Sequence, residues 1–247
     1  MKDIITTLNN RRTIREFTNE KIDDNIIKEI LNALMHSATS NGLQQASIIR
    51  VTAEDKKKAI AKVCNQEYVA RVPELFIFIA DHYRNFRLIR DNGRNYDTVS
   101  NVDIFIQGLT DATILASNMV SMVESMDLGA FFIGSILNDT QRIIEILNLP
   151  KLTYPVVGVG FGKPNQKPQM KPKIPSELRV FENSYVYYED YKKTFKKYDE
   201  EMQTYYDLRD ANRRVDSFSD QVYNKTQKPI SKRDEFLNVA RKNSYKL

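Results

Sequence analysis

The amino-acid sequence predicts a mixed helix–strand fold, α+β or α/β, and three observations carry that expectation. Short apolar runs bounded by glycine, proline or polar clusters read as strands at 47–51, 74–80, 128–135 and 154–162. Between them lie stretches whose apolar residues recur at helical spacing. The longest covers about seven turns, with Val102, Phe105, Ile106, Leu109, Ala112, Thr113, Ala116, Met119, Val120 and Val123 on one stripe. Apolar over much of its surface, that helix is expected in the core of the fold or at a subunit interface.

In chain order, a short amphipathic segment precedes Arg11-Arg12-Thr13-Ile14-Arg15-Glu16-Phe17. If this stretch is extended, alternation directs Arg11, Thr13 and Arg15 to one side and Arg12 and Ile14 to the other. Two guanidinium forks flanking a hydroxyl suit a phosphate; read plainly, the same cluster is a solvated basic patch. Asp23 and Asp24 can cap a helix carrying Ile26, Ile27, Ile30, Leu31 and Leu34. A small hydroxyl-rich loop, 37–42, leads to the first strand, after which Thr52 can cap a lysine-rich helix to about Val63.

The segment 81–97 reads as polar and irregular. The strand 128–135 ends on a Gly134–Ser135 step, where backbone N–H groups can approach a planar ligand. The same step also suits an ordinary turn into a helix capped by Asn138 or Asp139 and running through Leu147. The run 154–162 holds three glycines, yet prolines follow it instead of a helix, so it is no dinucleotide fingerprint. A proline-punctuated stretch, 164–175, contains Lys171 and Lys173. Beyond it a charged helix is expected over 190–207, then a polar loop with Arg209, Arg213 and Arg214, and a last amphipathic helix over 230–240.

The 247 residues are 41% hydrophobic and 28% charged, the composition of an ordinary soluble globular protein. The N-terminus lacks an apolar signal-peptide core, and no run approaches the ~18 apolar residues of a membrane span. A lone Cys64 excludes an internal disulfide, and two histidines, His36 and His82, make a structural zinc site improbable. These features lead to a cytoplasmic protein with no metal and no membrane attachment. The formal charge of +5 comes from scattered lysines and shows no nucleic-acid-binding pattern; a small phosphorylated ligand explains it as well.

Four stretches in order, 11–17, 43–51, 129–134 and 171–175, resemble the nitroreductase superfamily, and more narrowly its oxygen-insensitive, NADPH-preferring nitroreductases and flavin reductases. The likeness spans nearly the whole chain. It implies an α+β nitroreductase-like fold: a mainly antiparallel central sheet packed by helices around a long core helix. It also implies an intertwined homodimer with an FMN-binding core over 1–185 and a C-terminal helical arm over 186–247, one structural unit with the core.

Carried over residue by residue, Arg11, Thr13, Lys171 and Lys173 would hold the FMN phosphate, with Arg12 beside them. Arg15 would lie near flavin N1 and O2, Gln66 on the pyrimidine edge with Tyr68 beside it, and Thr39, Ser40 and Asn41 at the ribityl chain or phosphate, from the other subunit. Backbone at Phe132, Ile133, Gly134 and Ser135 would line the ring. Arg209, Arg213 and Asn138 would serve NADPH. The chain departs from the family pattern in carrying Arg11 for a frequent histidine, Lys173 for an arginine, and Leu137 for the arginine often found before Asn138. Hydride would pass from NADPH through flavin N5 to nitroaromatics, quinones or flavins in a ping-pong cycle, without a catalytic residue. The alternatives are a dedicated flavin reductase, azoreductase or nitrosothiol reductase, or a basic phosphate- or polyanion-binding protein without redox chemistry.

Overall fold

A computed structural model of the chain describes residues 2–205, 216–227 and 231–247. The described residues fall into two compact units, one of 1–166 with 230–247 and one of 167–229. The larger unit opens with α1 (Ile4–Asn9), whose first turn is capped by Asp3, and α2 (Asp24–Leu34), capped by Asp23 as the sequence predicts. There follow β1 (Ala46–Arg50), α3 (Glu54–Cys64), α4 (Tyr68–Arg71), β2 (Glu74–Asp81), α5 (Tyr83–Asp91), α6 (Val102–Ser125), β3 (Gly129–Ile133), α7 (Thr140–Leu147) and β4 (Thr153–Gly162). In the smaller unit lie α8 (Tyr191–Thr204) and α9 (Phe218–Thr226), and α10 (Phe236–Lys242) returns to the larger one.

The strands pair antiparallel in the order β1–β2–β4–β3. Because strand side chains alternate, β2 feeds two cores. Phe76 and Phe78 join Ile27, Ile30 and Leu34 of α2 and Ala112, Ala116 and Met119 of α6 on one face. Leu75, Ile77 and Ile79 join Ile60 of α3, Val69 of α4 and Ile143 of α7 on the other. A near-continuous apolar run therefore marks a strand covered on both sides. This is the α+β arrangement expected from the sequence.

Several local expectations are corrected. Thr52 does not cap α3; Ala53 occupies that position without a side-chain bond. The stretch 81–97 is not irregular throughout. It holds α5, whose Tyr83, Phe86 and Ile89 pack against a third cluster while Arg87 pairs with Asp91 one turn on. On α6 the buried stripe includes Gly108 and Asp111, whereas Val102 and Ile106 stay exposed. In the tail, α9 is a helix the polar sequence concealed, and the last helix starts at Phe236, later than expected.

Gly108 is the closest approach in the larger unit. A β-carbon there would stand 2.4 Å from the ring of His82, which is fully buried with Nδ1 2.7 Å from the Tyr245 hydroxyl. Gly108→Ala is expected to cost about 1–3 kcal/mol by overpacking, read as a lower denaturant midpoint. An unchanged midpoint would mean the ring has room to move.

Candidate functional site

The segment 11–17 runs along the edge of β3. Thr13 bridges Ala130 in parallel, Ile14 N–H donates to the Ala130 carbonyl at 3.1 Å, and Phe17 bridges Pro164. Ile14 is buried over Gly129, so its neighbours in sequence are held at fixed directions. The bridges at Thr13 and Phe17 fit the extended conformation that the alternation argument requires, from Thr13 onward.

Arg15 is fixed at both ends. Its backbone N–H donates to Gln166 Oε1 at 2.5 Å, and its Nε donates to the Tyr68 hydroxyl at 3.3 Å with the guanidinium over that ring at 5.8 Å. Tyr68 in turn stands edge-on to Phe131 at 5.3 Å, and Phe17 stacks on Phe131 at 6.0 Å. Gln66, two residues before Tyr68, accepts from Ser135 Oγ at 2.9 Å. The far ends of the predicted cluster are thus brought near: Arg15 pairs with Tyr68 and Gln66 with Ser135, and the chain from Gln66 to Tyr68 ties the two pairs together within one unit.

The β3 edge supplies the apolar surface. Phe132 is 42% exposed on a strand whose other residues are buried, and Arg11 lies over its ring at 5.5 Å. Ile133 is buried, while a β-carbon at Gly134 would meet nothing within 4 Å. Open space over a glycine, beside guanidinium, amide, phenol and hydroxyl donors, fits a flat heteroaromatic ring with carbonyl edges. The donor set accordingly suits FMN.

Thr39, Ser40 and Asn41 form a separate element, organised by Asp111 of α6. The Asp111 carboxylate accepts from Thr39 Oγ1 at 2.5 Å, Ser40 N–H at 2.8 Å and Gln45 N–H at 3.0 Å, and the residue is 2% exposed. Asn41 donates to Gln107 at 3.2 Å. Arg12 is half-buried. Lys171 and Lys173 lie in the smaller unit, exposed on the wall of a groove of about 380 Å³ that also holds Arg179 and Lys225 over Tyr198, Met202 and Phe218.

Asn138 is occupied by the protein itself, with Nδ2 3.4 Å from the Cys64 carbonyl and Oδ1 accepting from Arg233 Nε at 3.0 Å. Arg209 and Arg213 lie outside the described residues. Burial pushes the Cys64 thiol up, against the pull of Ser135 and Arg233. Three residues of this region were not anticipated. Asp111 had a legible signal, a charge on the buried stripe of an apolar helix. Arg233, which donates to the Gly134 carbonyl at 2.9 Å, and Glu124, near Arg11, had none, since both meet their partners only through the fold. Among the described residues no cluster of His, Cys, Asp and Glu could hold a metal ion, and no helix is long and apolar enough to cross a membrane.

A half-buried arginine–tyrosine–glutamine–serine cluster beside an open glycine, on a two-sided α+β sheet, is an arrangement able to seat a planar cofactor. The Nitroreductase family description matches residues 8–163, and its C-terminal domain matches residues 171–247; the chain belongs to the nitroreductase family. It is 32% identical to the FMN reductase (NADPH) of Bacillus subtilis, across 96% of this chain and 97% of that one. It is also 32% identical to the oxygen-insensitive NADPH nitroreductase of Salmonella typhimurium, across 90% of each. The solved NfrA1 nitroreductase of B. subtilis superposes with a TM-score of 0.91 at 30% identity, across 98% of this chain and 99% of that one.

Proposed function

We propose that the protein is an NADPH-dependent FMN oxidoreductase that reduces nitroaromatics, quinones or flavins, working as a cytoplasmic homodimer. The observation that carries this reading is the convergence of Arg15, Gln66, Tyr68 and Ser135 beside Phe132 and the open Gly134, in a chain of this family. FMN, when bound, supplies two-electron chemistry between NADPH and the acceptor.

The protein's own residues bind and orient. Arg11, Arg12, Thr13, Lys171 and Lys173 would take the phosphate, and Thr39, Ser40 and Asn41 the ribityl chain, across two copies of the chain. Gln66 and Tyr68 would hold the pyrimidine edge, where the fixed guanidinium of Arg15 favours added negative charge. Backbone of Phe132, Ile133, Gly134 and Ser135 would line the ring. Arg209, Arg213 and Asn138 would serve NADPH, Asn138 after yielding its bond from Arg233. Exposed apolar residues on α1 (Ile4, Ile5, Leu8) and α6 (Val102, Ile106) support the dimer.

A polyanion-binding role is not favoured, because many surface cations are already compensated. Arg50 is paired with Glu74 and Asp24, Arg71 with Glu16, Arg87 with Asp91, Arg142 with Glu145 and Lys163 with Glu20.

Purified protein is expected to be yellow and to oxidise NADPH when a quinone or nitroaromatic is supplied. A preparation that stays colourless under excess FMN would exclude the function. Within the site, Arg15→Ala is expected to weaken FMN binding about 10- to 100-fold, the range for losing a charged hydrogen bond. Equal FMN fluorescence on dilution of variant and parent would remove Arg15 from the site.

A further inference from the structure

We propose that Glu124 is the counter-ion that positions Arg11, and that it takes up a proton when the phosphate of the cofactor settles on Arg11, so that FMN binding is coupled to proton uptake. The inference rests on the FMN reading above. Glu124 sits on the last turn of α6, and its side chain is only 8% exposed. Neither carboxylate oxygen has a hydrogen-bond partner. Its ion partner is Arg11, whose Nε stands 3.5 Å from Oε2 and whose guanidinium is held from another side by the Phe132 ring. Among the described residues the charge acting on Glu124 is that of Arg11, from the segment after α1, while Lys2, bonded through its backbone to Ser125, and Asp127 pair with each other at 2.5 Å. β3 contributes the uncharged Phe132.

A buried carboxylate without hydrogen bonds, at a helix end that already carries partial negative charge, is held ionised mainly by its cation. Burial pushes Glu124 up to about 7 although Arg11 pulls it down. A phosphate on Arg11 shares that cation and adds negative charge nearby. Both changes favour the protonated carboxyl, so a proton moves from solvent to Glu124 and the phosphate takes over the guanidinium. No other bond forms or breaks. Above neutral pH the uptake opposes binding; below it the proton is already in place. Phosphate ionisation near pH ~6 acts in the opposite sense, but is shared by wild type and a Glu124 variant, which keep the same phosphate-binding cations.

The test compares wild type with Glu124→Gln, a neutral stand-in for the protonated form. FMN release on dilution of the loaded proteins is followed by flavin fluorescence from about pH 6 to about pH 9. The ratio of dissociation constants, wild type over variant, is expected to be near unity at the acid end and about tenfold at the alkaline end, one pKa unit of coupling. A ratio that is flat with pH while both proteins retain FMN overturns the inference and leaves the FMN reading intact. Loss of FMN by the wild type at every pH overturns both. Should Glu124→Gln fail to fold, Glu124→Met, uncharged and suited to a buried position, is read in the same way: the wild-type-to-variant ratio must again rise with pH.

Discussion

Asp111→Ala is expected to destabilise the larger unit strongly, by about 3–5 kcal/mol. One carboxylate, 2% exposed, accepts from Thr39 Oγ1, Ser40 N–H and Gln45 N–H, so its removal leaves three donors without an acceptor. Each buried donor left unsatisfied costs about 1–3 kcal/mol, and the Thr39 hydroxyl can recover part by rotating toward water. Asp111→Asn keeps one acceptor oxygen and should lose less. Urea denaturation of the three proteins checks the order; a midpoint for Asp111→Ala equal to that of the parent would mean the loop 39–45 is held by something else. Because that loop carries Thr39, Ser40 and Asn41, Asp111→Ala is also expected to weaken FMN retention.

The second large effect is acid sensitivity traced to His82. The ring is completely buried, bonded to Tyr245, and burial lowers it from 6.5 to about 4 even though Asp81 and Asp111 pull it up. A depressed folded-state value means the unfolded chain binds the proton first. Stability from the neutral ring is therefore whole above pH 6.5 and is lost as pH falls toward about 4, by about 3 kcal/mol in all. Glu124, raised to about 7, works in the opposite direction over much of that window. The diagnostic quantity is thus the difference between wild type and His82→Gln rather than the whole curve. Equal slopes between pH 6.5 and about 4 would show that His82 is not the titrating group.

Much of the candidate site was legible because its parts are local. Arg11, Thr13 and Arg15 alternate along one extended stretch, and the Gly134–Ser135 step follows directly from a strand. What links them was not legible. Tyr68 reaches Arg15 over 53 positions and Ser135 reaches Gln66 over 69, distances no periodicity encodes. The helix α5 was concealed because its charged residues look like a loop until Phe86 and Ile89 find a core contributed by other elements.

By itself the sequence determined the strand–helix alternation, the long central helix and the residue types that can grip a phosphate and a flat ring, since those rest on side-chain chemistry and on the two- and 3.6-residue periods. Only the tertiary structure decided which charges became internal. Glu124 and His82 look in the sequence like any surface polar residue, and Asp111, though its place on an apolar stripe hints at burial, shows no partner there; their roles come from being desolvated beside Arg11, Tyr245 and Thr39 respectively. Burial strengthens every interaction such a group makes and penalises every one it lacks, and burial is a property of the assembled chain.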